Sequence, residues 1–314
     1  MRNLIRYSEH FGKISGIALC FFLIFGLTSC NDSAENSPQG LAEKLISMES
    51  GQHNVQYYSK FDTGVSEEHY SNVVFDKKNY FLETKSVSPL ANQNKAAYME
   101  MSFTEKDDIL QQKINTGEIS SKEYTVDEFL NIKIKNEDLL KEPPMERTTP
   151  KELVADMKEY IGEIGLASIG ELIKANADSF KESTSASTSG HTAYVGYFTP
   201  DSMVDSFIKY LRKRAVMDAK FRDPTATFAE KPTIEEAREE MRRTYGGIGL
   251  TFGIYDTALA DSNIPVTILF PKKKDGKIFI IASTAQAVNE SNAKRENNAN
   301  AQHLQKASIT YCIL

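Results

Sequence analysis

Glu67 and His69 are the first pair of side chains whose types and spacing could do chemistry together. They alternate along a strand-like segment, so both would lie on one face of that strand, with Asp62 nearby. A carboxylate and an imidazole can bind a metal ion, but this stretch offers no second histidine. We therefore interpret the pair as part of a polar strand surface, and we predict neither a metal site nor a cofactor.

Two other motifs are similar to catalytic or nucleotide-binding signatures. Ser206 and Lys209 match the SxxK pattern of penicillin-binding proteins and serine β-lactamases, but Ser206 falls two turns into its predicted helix instead of at its start. Gly247, Gly249 and Gly253 are spaced like a dinucleotide-binding loop. Here, however, a helix precedes the glycines and a strand follows them, which reverses the order that phosphate binding requires. We predict no catalytic residue from these motifs.

The three cysteines, Cys20, Cys30 and Cys312, differ in their surroundings. Cys20 lies within the apolar run 14–27, which is too short to span a bilayer and follows a basic N-terminal stretch. Cys30 ends this run. Cys312 lies in an alternating strand-like segment at the C-terminus, where we expect a buried core thiol.

The residues Leu27-Thr28-Ser29-Cys30 resemble a bacterial lipobox: an aliphatic residue, two small residues and a cysteine. The resemblance covers only the first 30 residues. It implies that residues 1–29 are removed as a signal peptide, that the Cys30 thiol receives a diacylglycerol, and that the new amino group is acylated, for example with palmitate. Two or three acyl chains anchor a protein stably to a membrane, whereas one chain anchors it only marginally.

The segment 30–40 continues as a polar stretch without aliphatic residues other than alanine, which is typical of a flexible tether. In enterobacterial lipoproteins, Asp directly after the cysteine marks the inner membrane, and here Asn31 holds that position, followed by Asp32. We therefore expect a lipoprotein of the bacterial cell envelope, facing the periplasm or cell surface, and we favour the outer membrane over the inner one.

The charge balance excludes nucleic acid as an expected partner. The chain carries 37 basic and 43 acidic residues, and removal of residues 1–29 takes away three basic and one acidic residue, which leaves a net charge of −8. Phosphate recognition requires clustered positive charge. The most basic segment contains Lys209, Arg212, Lys213, Arg214, Arg242 and Arg243, interspersed in part with glutamates. Most of this pattern is typical of a solvated helix face, and a contact with anionic headgroups or an acidic partner is the functional alternative.

The elements that must position these residues indicate an α+β fold. We predict a β-rich N-terminal region, 41–145, and a C-terminal region, 146–314, in which helices pack on a mostly antiparallel sheet. Strands are predicted by alternating apolar residues at 55–61, 69–75, 80–87, 97–103, 191–198, 250–254, 265–270, 277–282 and 307–314. Helices are predicted at 41–49, after the capping boxes at Thr149 and Thr233, over 172–180 and from Thr199, with one or two short ones within 107–141; residues 289–303 are a polar insert.

The function that these observations favour is a lipid-anchored, non-catalytic binding or accessory module for a protein partner. The alternative is an envelope hydrolase acting on a cell-wall or lipid substrate, with a site assembled from distant residues such as His69, His191 or Ser206. A structure distinguishes the two hypotheses, because a hydrolase requires these side chains to converge with acidic partners.

Overall fold

A single antiparallel sheet dominates the computed structural model, which describes residues 36–89, 95–106, 109–120, 139–141, 145–148, 166–206, 257, 259–294 and 303–314. Its twelve described strands are β1 (Ser50–Phe61), β2 (Ser66–Asp76), β3 (Phe81–Pro89), β4 (Lys95–Lys106), β5 (Ile109–Ser120), β6 (Leu139–Lys141), β7 (Met145–Thr148), β8 (Lys181–Ser183), β9 (His191–Phe198), β10 (Ile264–Pro271), β11 (Ile278–Ser283) and β12 (Leu304–Ile313). The described helices are α1 (Pro38–Ser47), α2 (Ala167–Ala175) and α3 (Ala285–Lys294), with a 3₁₀ turn at Ala177–Ser179 and a helical segment at 200–206. The α+β class is confirmed, with the sheet as its larger part.

The strand order joins the two ends of the chain. It runs β6-β5-β4-β3-β2-β1-β12-β11-β10-β9-β8, and β7 also pairs with β5. Strands β1 to β5 follow one another as a meander, while β12 pairs with β1 through a register that places Val55 opposite Tyr311. The last strand therefore connects the N-terminal meander to the C-terminal strands in one continuous sheet.

One face of this sheet, the inner face, carries the main core. Alternate side chains such as Val55, Val73, Ile280 and Ile309 are buried there, as the period of two in a strand requires. The helices α1 and α2 and the helical segment 200–206 contribute to the same core, chiefly through Leu41, Ala42, Leu45, Leu166, Ile169, Leu172, Ile173, Met203 and Val204. Farther along the inner face, α3 packs on β12 around Val288 and Leu304.

The start of α1 and its contact with α2 follow from local chemistry. Ser37 caps the helix, because its Oγ accepts a hydrogen bond of 3.1 Å from the backbone N–H of Gly40, and Pro38 occupies the first turn. Gly170 lies within α2, where an added Cβ would be only 2.9 Å from the carbonyl oxygen of Ala42. Gly170 thus permits close approach of the two helices.

From β3 to β5 the buried side of the sheet changes. Val87, Ala96, Tyr98 and Asn115 are buried although they lie on the outer face, whereas Met99 on the inner face is 36% exposed. The open part of the outer face is therefore formed mainly by β1, β2 and β8 to β12.

The structure defines two segments whose local pattern is weak. Within the ambiguous range 107–141, residues 109–120 form the long strand β5, because they pair with β4 along its whole length, and this distant partner outweighs the local pattern; residues 121–138 of that range lie outside the described residues. The polar insert at 289–303 is in part helical, since α3 continues to Lys294. The helices predicted after Thr149 and Thr233 and the strand at 250–254 lie outside the described residues.

Candidate functional site

A polar strip crosses the inner face of β1, β2 and β3. It consists of Tyr57 and Ser59 on β1, Glu67, His69 and Ser71 on β2, and Ser86 on β3. The strand register places Ser59 opposite Glu67, Tyr57 opposite His69 and Ser71 opposite Ser86. Glu67 and His69 share one strand face, as their alternation predicted, and the structure adds the serines and the tyrosine from the neighbouring strands.

The hydrogen bonds of the polar strip do not activate a nucleophile. Ser71 and Ser86 share a hydrogen bond of 2.9 Å between their Oγ atoms. The imidazole Nε2 of His69 lies 3.9 Å from a carboxylate oxygen of Glu67, beyond hydrogen-bond distance, and its ring centroid lies 5.6 Å from that of Tyr57. Because Ser71 and Ser86 bond each other, and the Oγ of Ser59 has no hydrogen-bond partner, no serine–histidine pair is formed in the polar strip.

Burial sets the protonation of the polar strip. Desolvation lowers the pKa of His69, and the nearby Glu67 carboxylate opposes this effect without cancelling it. The imidazole is therefore neutral at pH 7. Its Nδ1 atom and the Oγ of Ser59 are buried without a hydrogen-bond partner, so both atoms keep an unused hydrogen-bonding capacity inside the protein.

His53 is a second buried histidine, and sequence reasoning missed it. It is 1% exposed on the inner face of β1, with its ring centroid 6.5 Å from those of both Phe75 and Tyr311. Desolvation lowers the pKa of His53 to about 3, so the side chain is neutral at pH 7. The sequence contains a signal for this burial, because His53, Val55 and Tyr57 alternate along β1 and therefore share one face of the strand.

The outer face of β8 to β12 and β1 forms a surface without carboxylates, which we call the acid-free face. Its apolar centre contains Val195 and Tyr197, which are 38% and 41% exposed, and the half-buried Leu269, Phe279 and Ile281. The strand registers place none of the described aspartates or glutamates of these six strands on this face. Lysines surround the apolar centre: Lys60, Lys181, Lys272, Lys273, Lys274, Lys277 and Lys306.

The turn between β10 and β11 supplies four of these lysines and is held in place by specific contacts. The backbone N–H of Lys272 donates to the carbonyl oxygen of Gly190 at 2.9 Å, and its Nζ donates to the carbonyl oxygen of Thr188 at 2.8 Å. The rings of His191 and Phe279 meet edge to face with centroids 5.6 Å apart. Lys273 and Lys274 are exposed to solvent at the tip of the turn.

The neighbouring outer face of β2 to β4 has the opposite charge, and we call it the acidic face. It carries Glu68, Asp76, Glu83 and Glu100, with Lys85 between the last two at 3.2 Å from Glu83 and 3.9 Å from Glu100. Glu68 on β2 is exposed, whereas the side chains of Glu83 and Glu100 on β3 and β4 are partly covered, at 19% and 30% exposure. Burial raises the pKa of Tyr98, whose hydroxyl donates to Glu100 at 3.0 Å, and the adjacent carboxylates act in the same direction. Charge is thus segregated between two adjoining parts of one sheet face.

The free edge of β9 is protected against pairing with another strand. The hydroxyl of Ser179 accepts from the backbone N–H of Tyr197 and donates to its carbonyl oxygen, both at 3.1 Å. Farther along, Asn176 accepts from the backbone N–H of Thr199 at 3.0 Å. Side chains thus occupy the backbone groups that an added strand would use.

The candidates from sequence do not converge. His191 lies on the outer face and His69 on the inner face, while Ser206 is a buried residue of the helical segment 200–206. Cys312 is half-buried on the outer face of β12, so the expectation of a core thiol was wrong; burial raises its pKa, with Lys277 opposing. The predicted lipidation site Cys30 and the basic residues Lys209, Arg212, Lys213, Arg214, Arg242 and Arg243 lie outside the described residues.

In the described part of the chain, no three His, Cys, Asp or Glu side chains group closely enough to hold a metal ion, and no helix is long and apolar enough to cross a membrane. No known family model matches the chain, and no curated protein matches it significantly.

Proposed function

We propose that this chain is a bacterial lipoprotein, anchored in the cell envelope through acyl chains on Cys30, whose body is a non-catalytic binding module for a protein partner. The match of Leu27-Thr28-Ser29-Cys30 to a lipobox supports the anchor. The short polar segment that follows supports a tethered body. The finer description of the fold belongs to the same proposal: a β-rich N-terminal half and C-terminal helices packed on the sheet.

The observation that carries the binding function is the acidic face. Its four carboxylates outnumber the lysines that the strand register places on it, Lys85 and Lys106, and they stand on adjacent strands whose mutual register is held by backbone pairing. Tyr70 donates to Glu68 and accepts a hydrogen bond of 3.2 Å from Gln56. A rigid surface of carboxylates with an amphipathic aromatic ring suits a protein partner that presents basic side chains, because complementary charge speeds association and selects the partner.

The polar strip supports a binding role over the hydrolase alternative. A hydrolase of the serine type needs a hydroxyl within hydrogen-bond reach of a base. In the polar strip, Ser71 and Ser86 bond each other, and Glu67 stands 3.9 Å from the His69 ring nitrogen.

Two measurements test this proposal separately. For the anchor, Cys30→Ala is expected to abolish membrane partition of the processed form; a variant that still fractionates with membranes at the mature mass contradicts the lipobox interpretation.

For the partner, the protein is co-purified from native membranes in detergent. Combining Glu68→Lys with Glu83→Lys is expected to reduce partner recovery at least tenfold, while the matched reversal Glu182→Lys on β8 leaves recovery unchanged.

The hydrolase alternative has its own outcome. If no protein is recovered with the wild-type chain, and the purified protein hydrolyses a cell-wall or lipid substrate, the binding proposal is wrong. A His69→Gln variant then identifies the reactive site, because loss of turnover with retained folding assigns the imidazole to the chemistry.

A further inference from the structure

The acid-free face has the composition of a surface that contacts a lipid headgroup region. Its centre exposes Val195 and Tyr197 beside Leu269, Phe279 and Ile281. Tyrosine and phenylalanine with aliphatic neighbours suit the boundary between headgroups and acyl chains, where one end of the side chain is apolar and the other is wet. The cluster is contiguous across three paired strands, since Val195 is opposite Thr267 and Phe279 is opposite Leu269.

The charge around this centre complements an anionic lipid surface. The lysines lie on three sides of it: the β10–β11 turn at one end, Lys60 and Lys306 at the other end, and Lys181 at the β8 edge. Lys60 and Lys306 are directly opposite each other, and the Lys306 Nζ also lies 5.6 Å from the Tyr58 ring centroid. Asp275 is the acidic residue of the turn. The chain has a formal net charge of −6. Strand pairing nevertheless gathers these lysines around one surface.

The chain length between the proposed anchor and the body allows this contact. Cys30 and Pro38 are separated by eight residues, which span at most about 30 Å when fully extended. If Cys30 is lipidated, α1 therefore stays within about 30 Å of the headgroups. Such a short tether raises the effective concentration of the body at the membrane, so a weak contact between one face and the lipid is populated.

We propose that the acid-free face docks on an anionic lipid surface through its apolar centre on β9 to β11, so that the helices α1 and α2, which pack on the opposite side of the sheet, are turned toward the aqueous space. The lysines contact phosphate groups, and the apolar centre enters the headgroup region. This inference goes beyond the proposed function, because it assigns an orientation and a second partner, the lipid surface. It uses the proposed anchor only to bring the body close to the membrane.

Fluorescence quenching tests the orientation, because the chain contains no tryptophan. Two single reporters lie on opposite sides of the sheet: Tyr197→Trp on the acid-free face, and Lys44→Trp at an exposed position of α1, which packs on the inner face. Each protein, purified from native membranes, is reconstituted into phosphatidylglycerol-containing vesicles whose lipids carry a quencher close to the headgroup. The Tyr197→Trp reporter is expected to be quenched and the Lys44→Trp reporter to remain unquenched.

The charge dependence gives an independent readout. Each lysine near an anionic surface contributes about fivefold to binding, so Lys273→Gln combined with Lys274→Gln is expected to lower the ratio of docked to undocked protein about 30-fold. Both side chains are exposed, and Lys272, which holds the turn, is retained. High salt and vesicles of phosphatidylcholine alone are expected to reduce the quenching in the same way.

Several results would overturn the proposal. Equal quenching of both reporters means that the body has no preferred orientation. A Tyr197→Trp reporter that is unquenched on phosphatidylglycerol, or that becomes shielded only after an envelope extract is added, assigns this face to the aqueous phase or to a protein. Failure of the anchor and failure of the docking can be told apart. Mass analysis reports whether Cys30 is lipidated. A protein without lipid can still be added to preformed vesicles, where the same two tryptophan reporters measure docking.

Discussion

The buried histidine of β1 makes the stability of the protein depend on pH in a way that can be calculated. His53 is enclosed by aromatic side chains in the core, and its Nδ1 atom is buried without a hydrogen-bond partner. Its pKa rises from about 3 in the folded protein to about 6.5 in the unfolded chain. Between these values the unfolded state binds one more proton at this site than the folded state does. Stability contributed by a neutral His53 is therefore present at pH 7 and is lost as the pH falls below 6.5.

The magnitude follows from proton linkage. Each pH unit below the unfolded pKa costs about a factor of ten in the folding equilibrium, about 1.4 kcal/mol, until the pH approaches the folded pKa. Acidification from about pH 7 to about pH 4.5 is thus expected to cost about 2 to 3 kcal/mol through His53 alone. This is a large part of the free energy of unfolding of many domains.

Urea unfolding of the purified full chain, followed by circular dichroism at several pH values, measures this effect. The His53→Leu variant places an apolar side chain of similar size at this position. Between about pH 4.5 and 6, the slope of its unfolding free energy against pH is expected to be smaller than that of the wild type by the equivalent of about one bound proton. The difference between the two proteins cancels the contribution of the carboxylates. Parallel slopes for the wild type and His53→Leu over this range would refute the reasoning.

Three further predictions concern the packing and the hydrogen bonds. Gly170→Ala is expected to lower the free energy of unfolding by about 1 to 3 kcal/mol, because the new Cβ enters the α1–α2 contact. Thermal unfolding measures the change. Gly190→Ala serves as the control, because a Cβ added there has no atom within 4 Å. Ser71→Ala is expected to lower the free energy of unfolding by about 1 to 2 kcal/mol, since it leaves the buried hydroxyl of Ser86 unpaired. Ser59→Ala removes an unpartnered hydroxyl and is expected to be neutral or stabilising. Equal losses of stability for both variants would contradict this account. Ser179→Ala removes both hydrogen bonds at the β9 edge, and amide exchange at the strand end is expected to accelerate without a change in global stability.

Much of the local structure was predictable because its signals are local. The strand predicted at 191–198 is β9, and the two strands joined by a lysine-rich turn are β10 and β11. The helix predicted at 41–49 is α1, displaced by a few residues toward its serine cap. Strand β5 could not be predicted in this way, since its polar segment has an ambiguous local pattern and becomes a strand through pairing with β4.

For the candidate surfaces as well, the local pattern predicted some features and the pairing of distant strands decided the others. The alternation of Glu67 and His69 correctly predicted that they share a face, but the sequence does not show that Ser59 and Ser86 stand beside them. Cys312 was assigned to the core because its segment alternates, and the register with β1 and β11 places it on the other face. A shift of one residue exchanges the two faces of a strand, so parity within one strand leaves its orientation undetermined.

The sequence by itself determined the α+β class, the strands of both chain ends and the lipobox pattern on which the proposed anchor rests, because each depends on residues close together in the chain. Only the tertiary structure decided that β12 joins β1, that His53 is buried, and that lysines and carboxylates separate into adjoining faces. These features depend on which distant strands pair and in which register. That choice is made by burial of the inner face as a whole, where a long-range contact outweighs the preference of any short segment.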